Sequence, residues 1–319
     1  MTSVTNTEIT TQIDRQSFAV GGDLTVRRIG YGTMRLADTP DIKPTEAIVW
    51  HGPTPRAAAL GVLRAAVEHG VQLIDTADSY ALGAGEELVA EALHPYAQDV
   101  VVATKVGMTR PSPSEWVPVG HPAYLRQQAE LSLRRLQVER IDLLQLHRID
   151  PEVPLADQIG ALKQLQDEGK VRHIGLSEVT VDELEQALEI APIASVQNWY
   201  NLATRQHDAV VDFTAERGIA FLPFFPIAIG GHAGEDSPVS EVAREIGATP
   251  AQTALAWLLH RSPNILPIPG TTSEKHLAEN LGALAVELTP EQYARLDGIA
   301  AAEAAKAAEA AEAEAASAA

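Results

Sequence analysis

From Arg28 onward, short apolar runs rich in β-branched residues alternate with longer stretches in which apolar residues recur every three or four positions. A period near two marks strands and a period near 3.6 marks helices, so the alternation predicts a succession of βα units. The strand candidates are "RIGYG" (28–32), "VQLID" (71–75), "VVVATK" (100–105), "DLLQLH" (142–147), "VRHIGLS" (171–177), "ASVQ" (194–197), "IAFLP" (219–223) and "ILPIP" (265–269). Most are followed by a helical pattern, as in "PRAAALGVLRAAVEHG" (55–70) and "PLADQIGALKQLQDEG" (154–169). Eight such units in roughly 250 residues match an α/β fold of the (β/α)₈ TIM barrel class, with a doubly wound sheet as the rival architecture. Upstream, "SFAVGGDLTV" (17–26) places a Gly-Gly pair between two extended segments, the pattern of a β-hairpin that could cap the bottom of a barrel. The chain is thus divided into a flexible N-terminus over 1–16, one barrel over 17–300, and an Ala/Glu-rich tail over 301–319, helical or disordered.

Polar residues collect at one end of these runs. Asp75, Lys105, His147, Ser177 and Gln197 each close a predicted strand, and Thr271 follows the last. In a parallel barrel all carboxyl ends open on one face, so residues distant in sequence converge on a single mouth. Each has an ordinary reading as well: Lys105 as a surface lysine, His147 as a hydrogen-bonded core histidine, Asp75 as a turn or cap residue. Their shared position is what argues for a site.

Composition narrows the chemistry. The formal net charge of −19 repels phosphate backbones, which argues against nucleic-acid binding. With no cysteine, disulfides, thiolate metal sites and cysteine nucleophiles are excluded. No run approaches the roughly 20 apolar residues of a membrane span and the N-terminus lacks an apolar leader, so the expectation is a soluble cytoplasmic protein. A metal is not expected, since no His-x-His pair stands at the end of the first strand. Ser177, in "GLSEV", lacks the glycine-flanked elbow of a serine nucleophile. A Schiff base on Lys105, as in barrel aldolases, remains a competitor.

Carbonyl reduction uses the same residues differently. Tyr80 can donate a proton to a developing alkoxide, an ammonium at Lys105 would lower the phenol toward the working range, and Asp75 would keep that ammonium charged and in place. His147 could orient the substrate oxygen. Such a site needs an external hydride. In order and context, Asp75, Tyr80, Lys105 and His147 resemble the catalytic tetrad of the aldo-keto reductase superfamily, and "SVQNWYNL", "LPFFPI" and "PIPGTTSEKHLAENL" occupy the expected places. The resemblance spans Ser17 to about Ile299. It implies a barrel that binds NADPH without a Rossmann domain, and no G-x-G-x-x-G follows a strand here.

The resemblance implies that Gly32, Thr33 and Met34 lie beside the cofactor, that Ser177 and Gln197 bind the nicotinamide carboxamide, and that Phe224 stacks on the ring. Glu178 stands where asparagine is common. Gly270, Thr271, Thr272 and Ser273 open a helix that suits phosphate, with His276 nearby and Glu279 and Asn280 at the adenine. Gly270 and His276 replace basic residues of many relatives, so NADH use stays open beside NADPH. Large residues in the loops, Trp50 and His51, Trp116 and Trp199, are substrate-pocket candidates, and "AIGGHAGEDS" (228–237) is a candidate clamp. The chain most resembles a bacterial branch that includes pyridoxal reductases, which implies a small carbonyl substrate such as pyridoxal. A dinucleotide-binding redox-sensing or regulatory subunit is the alternative from a different functional class.

Overall fold

The computed structural model describes residues 16–37, 55–112, 115–227 and 237–302. Its strands are β1 (Ser17–Val20), β2 (Leu24–Arg27), β3 (Tyr31–Gly32), β4 (Leu73–Asp75), β5 (Val101–Val106), β6 (Met108–Thr109), β7 (Val117–Pro118), β8 (Ile141–Leu146), β9 (Val171–Ser177), β10 (Ile193–Gln197) and β11 (Ala220–Phe221). Seven of them form one sheet in the order β11-β10-β9-β8-β5-β4-β3, each neighbouring pair parallel. Helices such as Arg56–Glu68, Pro122–Leu136 and Leu155–Asp167 connect successive strands.

The segment 264–269 closes the curved sheet. On one side Phe221 N donates to Asn264 O (2.8 Å) and Leu266 N donates to Phe221 O (2.8 Å). On the other, Gly30 N donates to Pro267 O (2.9 Å) and Gly32 N to Pro269 O (3.4 Å). Pro267 and Pro269 have no N–H to return, so the seam with β3 is one-sided and the segment does not form a regular strand. The (β/α)₈ barrel therefore closes through a ladder that carries only half of its bonds on one side. Close approach makes up for this. A Cβ on Gly270 would lie 2.7 Å from Gly32 O, and one on Gly32 would lie 2.8 Å from Ile268 O, so glycine is required on both sides of the seam.

Strand alternation separates the interior from the helix-facing layer. Along β5, Val101 and Ala103 join Leu73, Leu143, Ala194, Ala220, Leu266 and Ile268 in the barrel interior. Val102 packs outward on the apolar face of the helix Arg56–Glu68. β1 and β2 pair antiparallel, and their Val20, Leu24 and Val26 belong to the same interior cluster, at the end opposite Asp75 and Lys105. Among the described residues, no helix is long and apolar enough to cross a membrane, and no group of three or more His, Asp or Glu could hold a metal ion. Trp50, His51, residues 228–236, and the terminal segments 1–15 and 303–319 lie outside the described residues.

The turn after β4 is pinned to β5: Thr76 N donates to Ala103 O (2.8 Å) and Asp78 N to Lys105 O (3.1 Å). Beyond it, Ala81 (φ 48°) and Leu82 (φ 52°) take left-handed backbone, which costs a non-glycine residue on the order of 1 kcal/mol. Behind the turn lies Glu86, fully buried, which accepts from Thr104 Oγ1 and from Arg135 Nε. Asp78 is buried close to it, and its Oδ1 has no hydrogen-bond partner among the described residues. Burial first, then the Glu86 charge, hold the Asp78 carboxyl well above its ordinary value.

Two outcomes are expected from this architecture. Gly270→Ala forces a Cβ onto a backbone oxygen that cannot swing away, and chemical denaturation should show a loss of about 1–3 kcal/mol; an unchanged midpoint would contradict the close seam. Because folded Asp78 keeps its proton where the unfolded chain has lost it, native stability should decline as pH rises from the unfolded carboxylate value, about 4, toward the raised folded value. Asp78→Asn removes that decline, so denaturation midpoints of the two proteins should converge near pH 4 and separate in favour of the variant toward pH 8. A separation independent of pH would contradict the assignment.

Candidate active site

Asp75 ends β4, and the register pairs it with Ala103 on β5. Lys105 lies two residues further along β5, on the same inward face. Its ammonium is completely buried, and its donors are used in three directions: to Asp75 Oδ2 (2.7 Å), to Thr76 O (2.8 Å) and to Tyr80 Oη (3.3 Å). An ammonium has three N–H groups, so none is left over. The Tyr80 oxygen accepts from Lys105, which leaves the phenol O–H free to donate elsewhere. Asp75 is held on both oxygens in turn, since Oδ1 accepts from Gln197 Nε2 (2.8 Å) and Gln145 Nε2 (3.2 Å).

Burial alone would pull Lys105 down, but the Asp75 carboxylate and the Tyr80 oxygen outweigh it and hold the ammonium above its usual value. Lys105 stays charged. For Tyr80 the balance runs against the expectation from sequence. Removal from water pushes the phenol up, and the Lys105 ammonium, acting in the expected downward direction, does not overcome it. Tyr80 is therefore held as a neutral phenol rather than drawn toward phenolate. His147, which follows β8, is also buried, and burial with the nearby charges of Lys105, Arg148 and Arg110 holds its imidazole well below its usual value. A neutral His147 shares a hydrogen bond with Ser79 Oγ through Nδ1 (3.2 Å). Its ring lies edge-on to Tyr80 at 6.0 Å between centroids.

Trp116 meets both groups: its ring centroid is 6.4 Å from that of Tyr80 and 6.0 Å from that of His147, and the Arg110 guanidinium lies over its ring at 3.6 Å from the centroid. Trp116 thus forms a wall over the phenol. Trp199 is exposed and contacts Phe225 rather than the tetrad. Phe224 lies beside Phe225, with the Arg148 guanidinium 5.9 Å above its ring. Ser177 Oγ accepts from Arg148 Nη1 (3.0 Å) and so keeps its own proton to donate. Gln197, in contrast, has its Nε2 committed to Asp75. Glu178 adopts left-handed backbone (φ 55°) and accepts from Trp199 N, so its carboxylate braces the loop after β10.

Around the closing seam, Thr33 N donates to Asp75 O (2.9 Å), while its hydroxyl is buried without a partner among the described residues. Met34 packs on the small cluster of Ala77, Tyr80 and Ala81. Tyr31 Oη donates to Thr271 O, Thr271 Oγ1 accepts from Ser273 N (3.1 Å), and Ser273 caps the helix Glu274–Gly282. On that helix Asn280 is buried and His276 is exposed, as is Thr272 just before it, and Glu279 O accepts from Gln252 Nε2 (3.0 Å). Sequence reasoning missed Gln145, Ser79, Arg110 and Arg148. Gln145 carried a readable signal, being a polar residue two positions before His147 on the inward face of an apolar strand.

The profile of the Aldo/keto reductase family matches residues 28–301. Pyridoxine 4-dehydrogenase of Escherichia coli is 42% identical over 285 residues, covering 87% of this chain and 96% of that protein. An uncharacterised oxidoreductase of Schizosaccharomyces pombe is 42% identical over 276 residues, 86% of this chain and 87% of its own. Among solved structures, an aldo-keto reductase from Klebsiella pneumoniae in complex with NADPH superposes with a TM-score of 0.74 at 28% identity, covering 88% of this chain and 94% of that one. The chain belongs to the aldo/keto reductase family of oxidoreductases.

Proposed function

We propose that this protein reduces an aldehyde or ketone to the alcohol with NADPH, that Tyr80 is the general acid, and that pyridoxal is a substrate. The observation that carries the reading is the use of the Tyr80 oxygen. It accepts from a buried ammonium whose other donors are bound to Asp75 and Thr76 O, so the phenol proton, which meets no acceptor among the described residues, is available to a substrate oxygen. The pyridoxine 4-dehydrogenase relative supports the substrate, and the NADPH-bound relative supports the cofactor.

When bound, NADPH supplies the hydride. The residues present suit it: the buried, unpartnered hydroxyl of Thr33 beside the seam, the Ser177 hydroxyl with its proton still available, and the Phe224 ring for the nicotinamide side. Gly32 and Met34 flank the same edge, and Gln197 offers its remaining carbonyl oxygen. The N-terminal turn of the helix Glu274–Gly282, with Gly270, Thr271, Thr272, Ser273 and His276, suits phosphate, and Glu279 with Asn280 suits the adenine.

In this reading the substrate carbonyl oxygen sits between Tyr80 and His147. With Ser79 donating to Nδ1, His147 presents Nε2–H to that oxygen and stays neutral throughout. As the carbonyl carbon gains a hydride, the oxygen takes the Tyr80 proton and leaves as the alcohol. Lys105 then stabilises the phenolate, a charge that forms only in the transition state and after it. Asp75 makes this possible by keeping Lys105 charged. The same contacts oppose a Schiff-base aldolase, which needs a neutral, free Lys105 amine; here that amine is charged and fully hydrogen-bonded. A purely regulatory dinucleotide-binding role does not use the Tyr80 proton.

Steady-state reduction of pyridoxal and a panel of simple aldehydes, with NADPH and NADH in parallel, tests the reading. Tyr80→Phe is expected to lower turnover by on the order of 10²- to 10⁴-fold while NADPH affinity is retained. Equal turnover in the two proteins would rule out Tyr80 as the acid, and faster turnover with NADH would overturn the cofactor assignment.

A further inference from the structure

Asp78 is a buried acid next to the catalytic turn that the proposed mechanism leaves without a task. Four titratable groups face it: Glu86 on the helix Ala84–Leu93, Lys105 on β5, and Arg135 and Tyr124 on the helix Pro122–Leu136. Both cations are committed elsewhere. Lys105 spends its three N–H groups on Asp75, Thr76 O and Tyr80. Arg135 donates through Nε to Glu86 Oε2 (2.6 Å) and through Nη2 to Ser132 Oγ (3.3 Å). Glu86 is fully buried and accepts from Thr104 Oγ1 with its other oxygen, so the ionised acid of this cluster is Glu86. Tyr124, raised by its own burial, stays a neutral phenol. A carboxylate at Asp78, a residue only 5% exposed, would therefore have no cation of its own and would face the charge of Glu86. One negative charge balanced by Arg135 is what the cluster accommodates, and Asp78 completes it as the neutral acid.

The same residue anchors the turn that carries the proton donor. Asp78 N donates to Lys105 O (3.1 Å), its carboxyl accepts from Ser79 N, and Ser79 Oγ shares a hydrogen bond with His147 Nδ1 (3.2 Å). Tyr80 comes next in the chain. Just beyond it Ala81 and Leu82 take left-handed backbone, so the turn is held by its contacts and not by its own conformational preference. A second charge behind such a turn is relieved by moving Asp78 toward water, and Ser79 and Tyr80 are the residues attached to it. We propose that Asp78 is a positioning residue: as a neutral acid it holds Ser79 against His147 and Tyr80 against Lys105, and loss of its proton releases the turn and switches reduction off at alkaline pH. This inference rests on the reductase reading above and adds a pH control to the same site.

The test is the pH profile of kcat for NADPH-dependent aldehyde reduction by the full chain and by Asp78→Asn, each scaled to its own maximum. The unaltered protein should lose turnover reversibly on the alkaline side while its circular dichroism and its NADPH affinity hold steady. In Asp78→Asn, which cannot ionise there, the midpoint of that loss should move up by on the order of one pH unit or more, to the limb of the buried Tyr80 phenol. A second measurement needs no variant. Ionisation of a carboxylic acid absorbs almost no heat whereas that of a phenol absorbs much, so the midpoint in the unaltered protein should stay nearly constant as the assay is warmed. An alkaline loss that is absent, that is the same in Asp78→Asn, that shifts with temperature as a phenol does, or that coincides with unfolding would overturn the inference and leave the reductase reading intact. Failure of the unaltered protein to reduce pyridoxal and simple aldehydes at every pH would overturn the reductase reading itself, and this inference with it.

Discussion

A charged lysine in the middle of a protein is the constraint on which the rest of this site depends. Removing an ammonium from water costs several kcal/mol even after relaxation, and only close partners offset it. Lys105 has Asp75, a backbone carbonyl and a phenol oxygen, one for each N–H. The arrangement propagates outward. Asp75 must itself be held, and Gln145 and Gln197 do so from two further strands. Four strands of the barrel thus converge on one carboxylate, and the phenol of Tyr80 is oriented as a by-product of satisfying the lysine.

The barrel makes that convergence possible and limits it. Strand alternation sends Ala103 and Lys105 inward while Val102 faces the surrounding helices, so the polar layer sits directly above the apolar plug that includes β1 and β2. Closure through two prolines and two facing glycines trades regular strand pairing for a tight seam. The chain leaves that seam into Thr271 and Ser273, which puts the candidate phosphate-binding turn on the same face as the tetrad.

Much of this was legible in the sequence, because period-two apolar runs ending in polar residues are a direct consequence of a parallel barrel. The succession of βα units was readable from that period, and Asp75, Lys105 and His147 from their shared position at strand ends, whereas Tyr80 entered through the chemistry of a proton donor and the resemblance. What the pattern could not convey was the balance of opposing terms. Lys105 was expected to draw the Tyr80 phenol downward; the burial that forces the lysine to be paired also removes the phenol from water, and burial wins. Gln197 was assigned to the cofactor through resemblance alone, whereas its amide donates to Asp75, a contact between side chains 122 residues apart that no local spacing encodes.

The central claim is that Asp75 keeps Lys105 charged inside the barrel so that Tyr80 can act as a neutral donor. Titration of the Lys105 side chain by NMR, with ¹³C-labelled lysine and the signal assigned through Lys105→Arg, measures this directly. The account predicts that Lys105 remains an ammonium to a pH above the ordinary lysine value, about 10.4, and that Asp75→Asn brings its titration down markedly, since burial is then unopposed. A Lys105 that loses its proton near neutral pH in the unaltered protein, or one whose titration is indifferent to Asp75→Asn, would contradict it.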